Sequence, residues 1–600
     1  MWLLACFTKA ADEVEPVVEI APPPPREVRG AELLHDVEAF VEAVGPLEAL
    51  PHYALDLSIS DVENRYEGRG TITWTNTTGA PVKTLPLLLH PNAPKELGAA
   101  TTASLELRSA TSAGATLRSV RPTLAELDFE TPIGPGEVVT IEVEFGGTLK
   151  LLRPESNDIW AQASAGMAQG PIEAADYGLL GQGDGLLTAA SAFPTVAPWT
   201  DGFQTAPPSG IGDLAWNHPV AFEVRVVTPK DLEVVTNLVD TRRFEGEVRI
   251  VEGVGVGVRD LVVLASRDFV VHERTVGETA VRSWGLRQDE PAVRAALDDT
   301  VLSLEVLEKE LVPYPFTELD VVEATLTGGA GGVEFSALIL VAGFLYRDPS
   351  TSQDPTYQML QQMGGLGLGT GVPDMATVVH DQRRFVVAHE VAHQWFPGLV
   401  GSDAHSQPAL DEPLAQYLAG RVLGEDLRDR SVKANFALYR LMDGKDGAAA
   451  RPTSSFGSTL EYAALVYGKA PYLYVDLEDE GLDLAAATRE HAWKTTTTDA
   501  WLATLAENGA PAAETKGRRW WKEAWGDEDF GLDQEGYVAL SLLLGEEMAE
   551  GLIEGMKFLG MGPKDLFAML GSGAVPIAPP TAPGEQPTPE EMMELLDALK

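Results

Sequence analysis

The residues best suited to chemistry are two histidines four positions apart, His389 and His393, within the segment FVVAHEVAHQW. A helix places both imidazoles on one face, one turn apart, and this spacing suits two nitrogen ligands of a single zinc ion. Glu390 lies between them and is placed to act on a zinc-bound water as a general base. We expect the helix to be capped by Asp381 and to end at Pro397-Gly398.

A third ligand is available in Glu412, because eighteen residues separate it from His393 and it opens a second helical pattern, LDEPLAQYLAG. Two histidines and one carboxylate leave a fourth position open for water, as a catalytic zinc requires and a structural zinc does not. The alternative is that the two histidines make only polar contacts on an amphipathic helix.

These motifs resemble those of the zinc aminopeptidases of the gluzincin clan, which include membrane alanyl aminopeptidase and leukotriene hydrolase. The family carries H-E-x-x-H, eighteen residues, and then Glu, and here the resemblance runs through HEVAHQWF and LDEPLAQY. It implies one zinc per chain, held by His389, His393 and Glu412, with Glu390 as the catalytic base. Pro413 departs from the family pattern, which has glycine there, but proline is tolerated in a first helical turn.

A glycine cluster precedes the zinc motif and ends in Gly331-Gly332-Val333-Glu334-Phe335. Glycines permit the close backbone approach of a ligand. The segment resembles the family's G-x-M-E-N motif, with Val333 for Met and Phe335 for Asn. The resemblance implies that Glu334 binds the free α-ammonium of a substrate and that the backbone near Gly331 and Gly332 pairs with it. The alternative is a surface glutamate in a glycine turn.

A tyrosine follows in Val466-Tyr467-Gly468-Lys469-Ala470. This segment resembles the family's V-Y-x-K-G, with alanine in the place of the final glycine. The resemblance implies that the Tyr467 hydroxyl bonds the oxyanion that forms during hydrolysis. A buried structural tyrosine is the alternative, and Tyr462, Tyr472 and Tyr474 are nearby competitors for the role.

The composition bounds the class of protein. The chain has 600 residues, 44% of them hydrophobic and 22% charged, which is typical of a globular protein of several domains. Its net charge of −46 argues against nucleic-acid binding and suits either basic substrates or simple solubility. No apolar run approaches the ~18 residues of a membrane span.

The single cysteine, Cys6, excludes an internal disulfide bond. Leu3-Leu4-Ala5-Cys6 is similar to the end of a bacterial lipoprotein signal, in which the cysteine is lipidated after cleavage. A basic region and a longer apolar stretch are missing in front of it, and a translation start further upstream would explain this. We expect a lipid-anchored protein of the bacterial cell envelope without a transmembrane span; a chance apolar N-terminus is the alternative.

The hydrophobic pattern predicts an α+β multidomain protein. Residues 1–50 are expected to form an anchor remnant and a Pro-rich acidic tether, and 51–270 a β-sandwich. The family resemblance implies that residues 271–500 form a thermolysin-like catalytic domain. Residues 501–573 are expected to form a short helical part, and 574–600 a Pro-rich linker and a terminal helix.

Two stretches rich in glycine are predicted to lack regular structure. Residues 153–215 contain many Gly and Pro residues and are expected to form long loops, and residues 364–371 a flexible loop over the cleft.

The sequence therefore predicts a zinc aminopeptidase that acts on peptides with a free N-terminus. The alternatives are a zinc endopeptidase of the same fold, in which Glu334 is not an anchor, and a catalytically silent binding scaffold.

Overall fold

The protein is described from a computed structural model, which covers residues 28–99, 101–153, 177–348, 375–441 and 444–524, with 550 and 553. Three predictions lie outside these residues: the anchor at Cys6, the glycine-rich loop 364–371 and the terminal helix. In the part of the chain that is described, no helix has the length and apolar character needed to cross a bilayer.

The first half of the described chain is built from β-sheets. Its strands are β1 His52–Ser60, β2 Arg65–Thr75, β3 Val82–Leu88, β4 Ser104–Thr111, β5 Ala115–Arg121, β6 Leu124–Ile133, β7 Val138–Thr148, β8 Lys150–Leu151, β9 Leu180–Gly183, β10 Leu186–Ala190, β11 Thr195–Val196, β12 Val220–Pro229, β13 Glu233–Thr236, β14 Val239–Glu245, β15 Val248–Val258 and β16 Val262–Ser266. They form a seven-stranded sheet (β14-β15-β12-β1-β2-β7-β4), a five-stranded sheet (β13-β16-β10-β9-β8) and a four-stranded sheet (β11-β3-β6-β5).

The alternation of apolar residues in β1 explains how these sheets pack. Tyr53, Leu55, Leu57 and Ile59 are each at most 4% exposed, whereas Ser58 between them is exposed. A period of two places one face of a strand in the core, as the sequence predicted for this region. The boundaries predicted for the domains remain a prediction.

The prediction of long loops over 153–215 is wrong for part of that range. Residues 180–196 contain the buried strands β9, β10 and β11, and every residue of β10 is buried. Gly185 lies in the turn between β9 and β10, and Gly181 and Gly183 lie within β9 itself. Leu186 and Leu187 pack in the core, so a high glycine content did not mean a loop.

The prediction of an extended tether over residues 11–50 is wrong for residues 28–50, which fold onto the body. Helix α1 spans Val37–Val44, and the side chains of Leu33 and Phe40 are fully buried. The Phe40 ring packs edge-on against Trp493 at a centroid distance of 4.8 Å. The apolar side chains dock this segment, because their burial outweighs the flexibility that an acidic composition suggested. Pro22 to Pro25 lie outside the described residues.

A further five-stranded sheet begins the second half. Its strands are β17 Phe269–Val276, β18 Thr279–Leu286, β19 Glu318–Ala324, β20 Gly332–Phe335 and β21 Leu338–Ala342, in the order β17-β18-β19-β21-β20. β18 and β19 are parallel, and a parallel pair needs a crossover, which a long helix over Glu290–Glu310 supplies. β20 lies at the end of the order, so one of its edges has no strand neighbour among the described residues.

The remaining described elements are mostly helices. In chain order, after α1, the helices are α2 Ala93–Glu96, α3 Glu290–Glu310, α4 Met375–Ala392, α5 Glu412–Leu423, α6 Glu425–Leu441, α7 Thr459–Tyr462, α8 Tyr472–Leu477, α9 Leu484–His491, α10 Thr498–Glu507 and α11 Ala513–Gly517. Helix α4 packs against α5, α3 and the edge strand β20, and this packing brings the predicted site together.

The two helices of the zinc motif differ in how well their ends were predicted. Asp381 is not the cap of α4, because the helix extends back to Met375 and Asp381 lies inside it. α5 begins as expected: the Asp411 side chain accepts from the Glu412 amide, and Pro413 occupies the first turn. A proline there costs no helical hydrogen bond, so Glu412 is held at the very start of α5.

Candidate metal centre

The three predicted ligands meet at one point. The Nε2 atoms of His389 and His393 are 3.0 Å apart, and Glu412 Oε2 lies 3.2 Å from the first and 3.3 Å from the second. The helical spacing of four residues aligns the two imidazoles at the end of α4, where His393 directly follows the last helical residue and keeps a helical backbone conformation. The first residue of α5 brings the carboxylate against them. All three side chains are buried, with 8%, 2% and 4% of their surface exposed in the same order.

This triangle fits a tetrahedral metal ion. Ligand bonds of ~2.0–2.2 Å around tetrahedral zinc separate the ligand atoms by roughly 3.3–3.5 Å, close to the distances between these three atoms. The His393 Nδ1 atom donates to the Phe396 carbonyl at 2.5 Å, so its Nε2 carries a lone pair that faces the triangle. Glu412 Oε2 is buried and has no hydrogen-bond partner among the described residues. A metal cation would satisfy these facing lone pairs together.

Glu390 stands beside the triangle without belonging to it. Its side chain is 4% exposed, and its Oε2 is buried without a hydrogen-bond partner among the described residues. Atoms of Glu390, Glu334 and His393 lie within 4.8 Å of one another. Burial raises the pKa of Glu390 well above its usual value. The charge of His393 lowers this pKa, whereas the charges of Glu334 and Glu412 raise it further. The carboxyl is therefore placed and tuned to hold a proton.

Glu334 lies on the edge strand β20, and this places it at the centre and not in a surface turn. Burial raises its pKa to about 7, with His393 lowering the pKa and Glu412 raising it. The backbone of β20 also lies against Glu390, because a Cβ built on Gly332 would be 2.3 Å from Glu390 Oε1. A cation bound here favours the ionised form of these carboxyls, because it offsets the cost of their burial.

Tyr467 reaches the centre from a wide helical turn over Ala463–Lys469. Its hydroxyl donates a hydrogen bond to Glu412 Oε1, and its ring lies 5.9 Å from the His389 imidazole. The neighbouring Lys469 has no part in the centre, because its buried Nζ is bonded to Asp446 Oδ1 at 2.8 Å and to the Gly447 carbonyl at 2.9 Å. This segment thus places Tyr467 beside the candidate metal ligands, while the bonds of Lys469 hold the helical turn in position.

The centre opens into a single cavity of about 540 Å³. The predicted site residues that line it are His389, Glu390, His393, Glu412, Gly331, Gly332, Glu334 and Tyr467. Val333 and Phe335, where the chain departs from G-x-M-E-N, line the same cavity. The structure therefore brings every predicted site residue together.

The sequence analysis missed a carboxylate in this cavity, Asp213. It lies in the segment between β11 and β12, whose backbone is tied by the Tyr177 hydroxyl to the Gly212 carbonyl and by His405 Nε2 to the Asp213 carbonyl, each at 3.0 Å. Its side chain makes no hydrogen bond to a described residue. Burial, followed by the charges of Glu334 and Glu412, raises its pKa well above the usual value. No motif surrounds Asp213, so the sequence held no signal for it.

Comparison with known proteins identifies the fold. No family model matches the chain, and no curated protein sequence matches it. Among solved structures, the M1 zinc metallopeptidase from Deinococcus radiodurans is 18% identical with a TM-score of 0.52, covering 80% of this chain and 94% of that chain. A mutant of that enzyme gives 16% identity and a TM-score of 0.53, covering 80% and 95%. A mutant bound to a Tyr-Ser-Ala substrate gives 17% and 0.51, covering 80% and 94%.

These matches confirm the α+β multidomain fold predicted from the sequence. The chain has the fold of M1 zinc metallopeptidases, with a β-sheet N-terminal region and a helical region that carries the candidate metal centre.

Proposed function

We propose that this protein is a zinc-dependent aminopeptidase that removes the N-terminal residue of peptides. The observation that carries the proposal is the position of Glu334, which lies within 4.8 Å of Glu390 and His393 on the open edge of β20. A carboxylate fixed at that distance from a metal centre limits how far a peptide with a free N-terminus enters the cleft.

His389, His393 and Glu412 would hold the zinc ion. When bound, such an ion activates a water molecule and polarises the substrate carbonyl. The structural support is the triangle of facing lone pairs described above, together with the M1 metallopeptidase fold.

Glu390 handles the proton. Its unpaired Oε2 takes a proton from the attacking water and delivers it to the amine that leaves. Burial raises the pKa of this carboxyl, which suits a group that takes up a proton and then releases it.

The Tyr467 hydroxyl donates a hydrogen bond to the carbonyl oxygen of the substrate as negative charge develops there. It is already directed at the centre through its bond to Glu412, so a small rotation redirects its proton. A well-placed donor of this kind is worth roughly 3–4 kcal/mol in the transition state.

Glu334 binds the α-ammonium of the substrate in a charge-assisted hydrogen bond, worth about 1.5–3 kcal/mol. The open edge of β20 offers backbone groups on which an extended peptide is aligned. The Glu334 carboxylate and the edge of β20 together place the first peptide carbonyl of the substrate at the metal centre.

The test compares Glu334→Ala with Glu273→Ala, an exposed glutamate on β17 of the same sheet. We expect Glu334→Ala to lower kcat/KM on aminoacyl fluorogenic substrates on the order of 10- to 100-fold, because it removes the charge-assisted bond. Zinc content should stay at one per chain, and Glu273→Ala should match the native enzyme.

N-acetylated peptides separate the alternatives. The native enzyme should cut them poorly, and Glu334→Ala should change those rates little. Internal cleavage of N-blocked peptides as fast as free ones would identify an endopeptidase. Zinc binding without hydrolysis of any peptide would identify a binding scaffold.

A further inference from the structure

The side chain of Gln394 joins the metal-binding helix to the strand that carries Glu334. It follows His393 directly, is 1% exposed and points toward the turn between β20 and β21. Its Nε2 donates to the Phe335 carbonyl at 2.9 Å, and its Oε1 accepts from the Ala337 amide at 2.9 Å. The Gln394 amide therefore makes two hydrogen bonds to the backbone, one to the residue before Ser336 and one to the residue after it.

A tyrosine completes the arrangement. The Tyr314 hydroxyl lies 3.3 Å from Gln394 Oε1 and 3.0 Å from the Glu318 carbonyl, at the start of β19. A buried amide with this many partners has a single orientation, because each rotation leaves a buried polar group unsatisfied.

The turn that Gln394 holds is an uncommon one. Ala337 has φ of 63°, in the left-handed region that residues other than glycine seldom adopt. Such a conformation persists where surrounding contacts enforce it, and the bond from the Ala337 amide to Gln394 is one such contact.

β20 depends on this connection more than the other strands of its sheet do. It is four residues long, pairs with β21 on one side and has no described strand on the other. Two of its contacts join it to α4 and the turn that follows: Gly332 against Glu390 at one end, and Gln394 bonded to Phe335 at the other. Glu334 lies between these two points.

We propose that Gln394 is a positioning residue that fixes the distance from Glu334 to the metal centre and thereby the exopeptidase register. This inference rests on the proposed aminopeptidase function. Without Gln394, the ammonium anchor and the metal ligands would no longer be held by one rigid connection, and the bound carbonyl would be displaced.

Two substitutions test the role. Gln394→Met keeps the size and removes every hydrogen bond, whereas Gln394→Asn keeps the amide and shortens its reach by one methylene. Both should lower kcat/KM on substrates with a free N-terminus at least tenfold, mainly through kcat, because displacements of ~1 Å cost on the order of 100-fold in rate. Rates on N-acetylated peptides should stay as low as in the native enzyme.

Further readouts separate positioning from general damage. Zinc content should remain one per chain, and hydrogen exchange in a peptide spanning 333–338 should rise while exchange in α4 stays unchanged. Tyr314→Phe, which removes one partner of Gln394, should give a smaller loss of the same kind. Gln182→Met, in β9 and outside the cavity lining, is the matched control and should leave activity and exchange at 333–338 unchanged.

The outcomes distinguish the two ideas. If the native enzyme shows no preference for free N-termini, the proposed function fails, and the exchange measurement still decides whether Gln394 holds β20. Native-like kcat in Gln394→Asn, or unchanged exchange at 333–338, would overturn the inference. Loss of zinc, together with equally reduced rates on free and N-acetylated substrates, would show that Gln394 serves only the folding of the centre and would also overturn the inference. If Gln394→Met does not fold, Gln394→Asn and Tyr314→Phe decide the question.

Discussion

Gly332→Ala should displace Glu390, the proposed catalytic base, while leaving the proposed metal ligands in place. A Cβ built on Gly332 meets three atoms of Glu390: Oε1 at 2.3 Å, Cδ at 2.5 Å and Cγ at 2.5 Å. The backbone of Gly332 is not in the left-handed region, so alanine adopts its conformation without strain. The whole effect of the substitution therefore falls on the contact with Glu390.

The distances give the size of the effect. Heavy atoms in ordinary contact are roughly 3.5 Å apart, so the Glu390 side chain must move by about 1 Å. A misplacement of ~1 Å costs on the order of 100-fold in rate, which corresponds to about 2.7 kcal/mol of activation free energy. Because Glu390 is not a metal ligand, zinc affinity should be nearly unchanged.

The assay is steady-state hydrolysis of an aminoacyl fluorogenic substrate, with zinc measured on the same purified protein. Gly202→Ala is the matched control, because its Cβ would meet no heavy atom within 4 Å and the residue does not line the cavity. We expect a roughly 100-fold lower kcat for Gly332→Ala and a change below threefold for Gly202→Ala. A kcat for Gly332→Ala within threefold of the native value would refute the assignment of Glu390 as the base, and loss of zinc would show that the displacement had spread to the ligands.

Three further predictions concern the centre. His393→Ala should abolish zinc retention and activity, whereas Glu390→Gln should keep one zinc per chain by metal analysis and lose turnover; comparable zinc loss in both would contradict their different roles. Tyr467→Phe should lower kcat roughly 100-fold with little change in KM, as expected for an oxyanion donor, and an unchanged kcat would leave Tyr467 a structural residue. Asp213→Asn should lower kcat/KM for an N-terminal arginine more than for leucine, because Asp213 adds an unpaired carboxylate to the cavity; equal losses on both substrates would contradict this.

The candidate site was predictable from the sequence because its chemistry is encoded by local spacing. His389 and His393 share a helix, and one helix turn fixes their relation whatever the rest of the fold does. Glu412 needed one further fact, that α5 packs against α4, and the resemblance to a known family supplied it. Glu334 and Tyr467 were predicted by resemblance alone, and the structure locates both in the same cavity.

The residues that the sequence did not reveal act through contacts between distant segments. Asp213 comes from the β-sheet half and lies among side chains more than a hundred positions away. Gln394 was visible in HEVAHQW, but its bonds to Phe335 and Ala337 depend on the packing of α4 against β20. The docking of Phe40 depends likewise on a distant residue, Trp493, so the local composition alone predicted a tether.

The packing of Phe40 against Trp493 has a consequence for how the chain is made. These residues are about 450 positions apart, and contacts of such sequence separation form late in folding. During synthesis the ribosome releases Phe40 long before Trp493, so the face of Phe40 that meets Trp493 stays uncovered until nearly all of the helical region has emerged. A chain cut short before Trp493 keeps that face exposed, and this is the kind of surface that chaperones and proteases recognise. Formation of the contact between Phe40 and Trp493 thus marks a molecule whose candidate metal centre has already been synthesised.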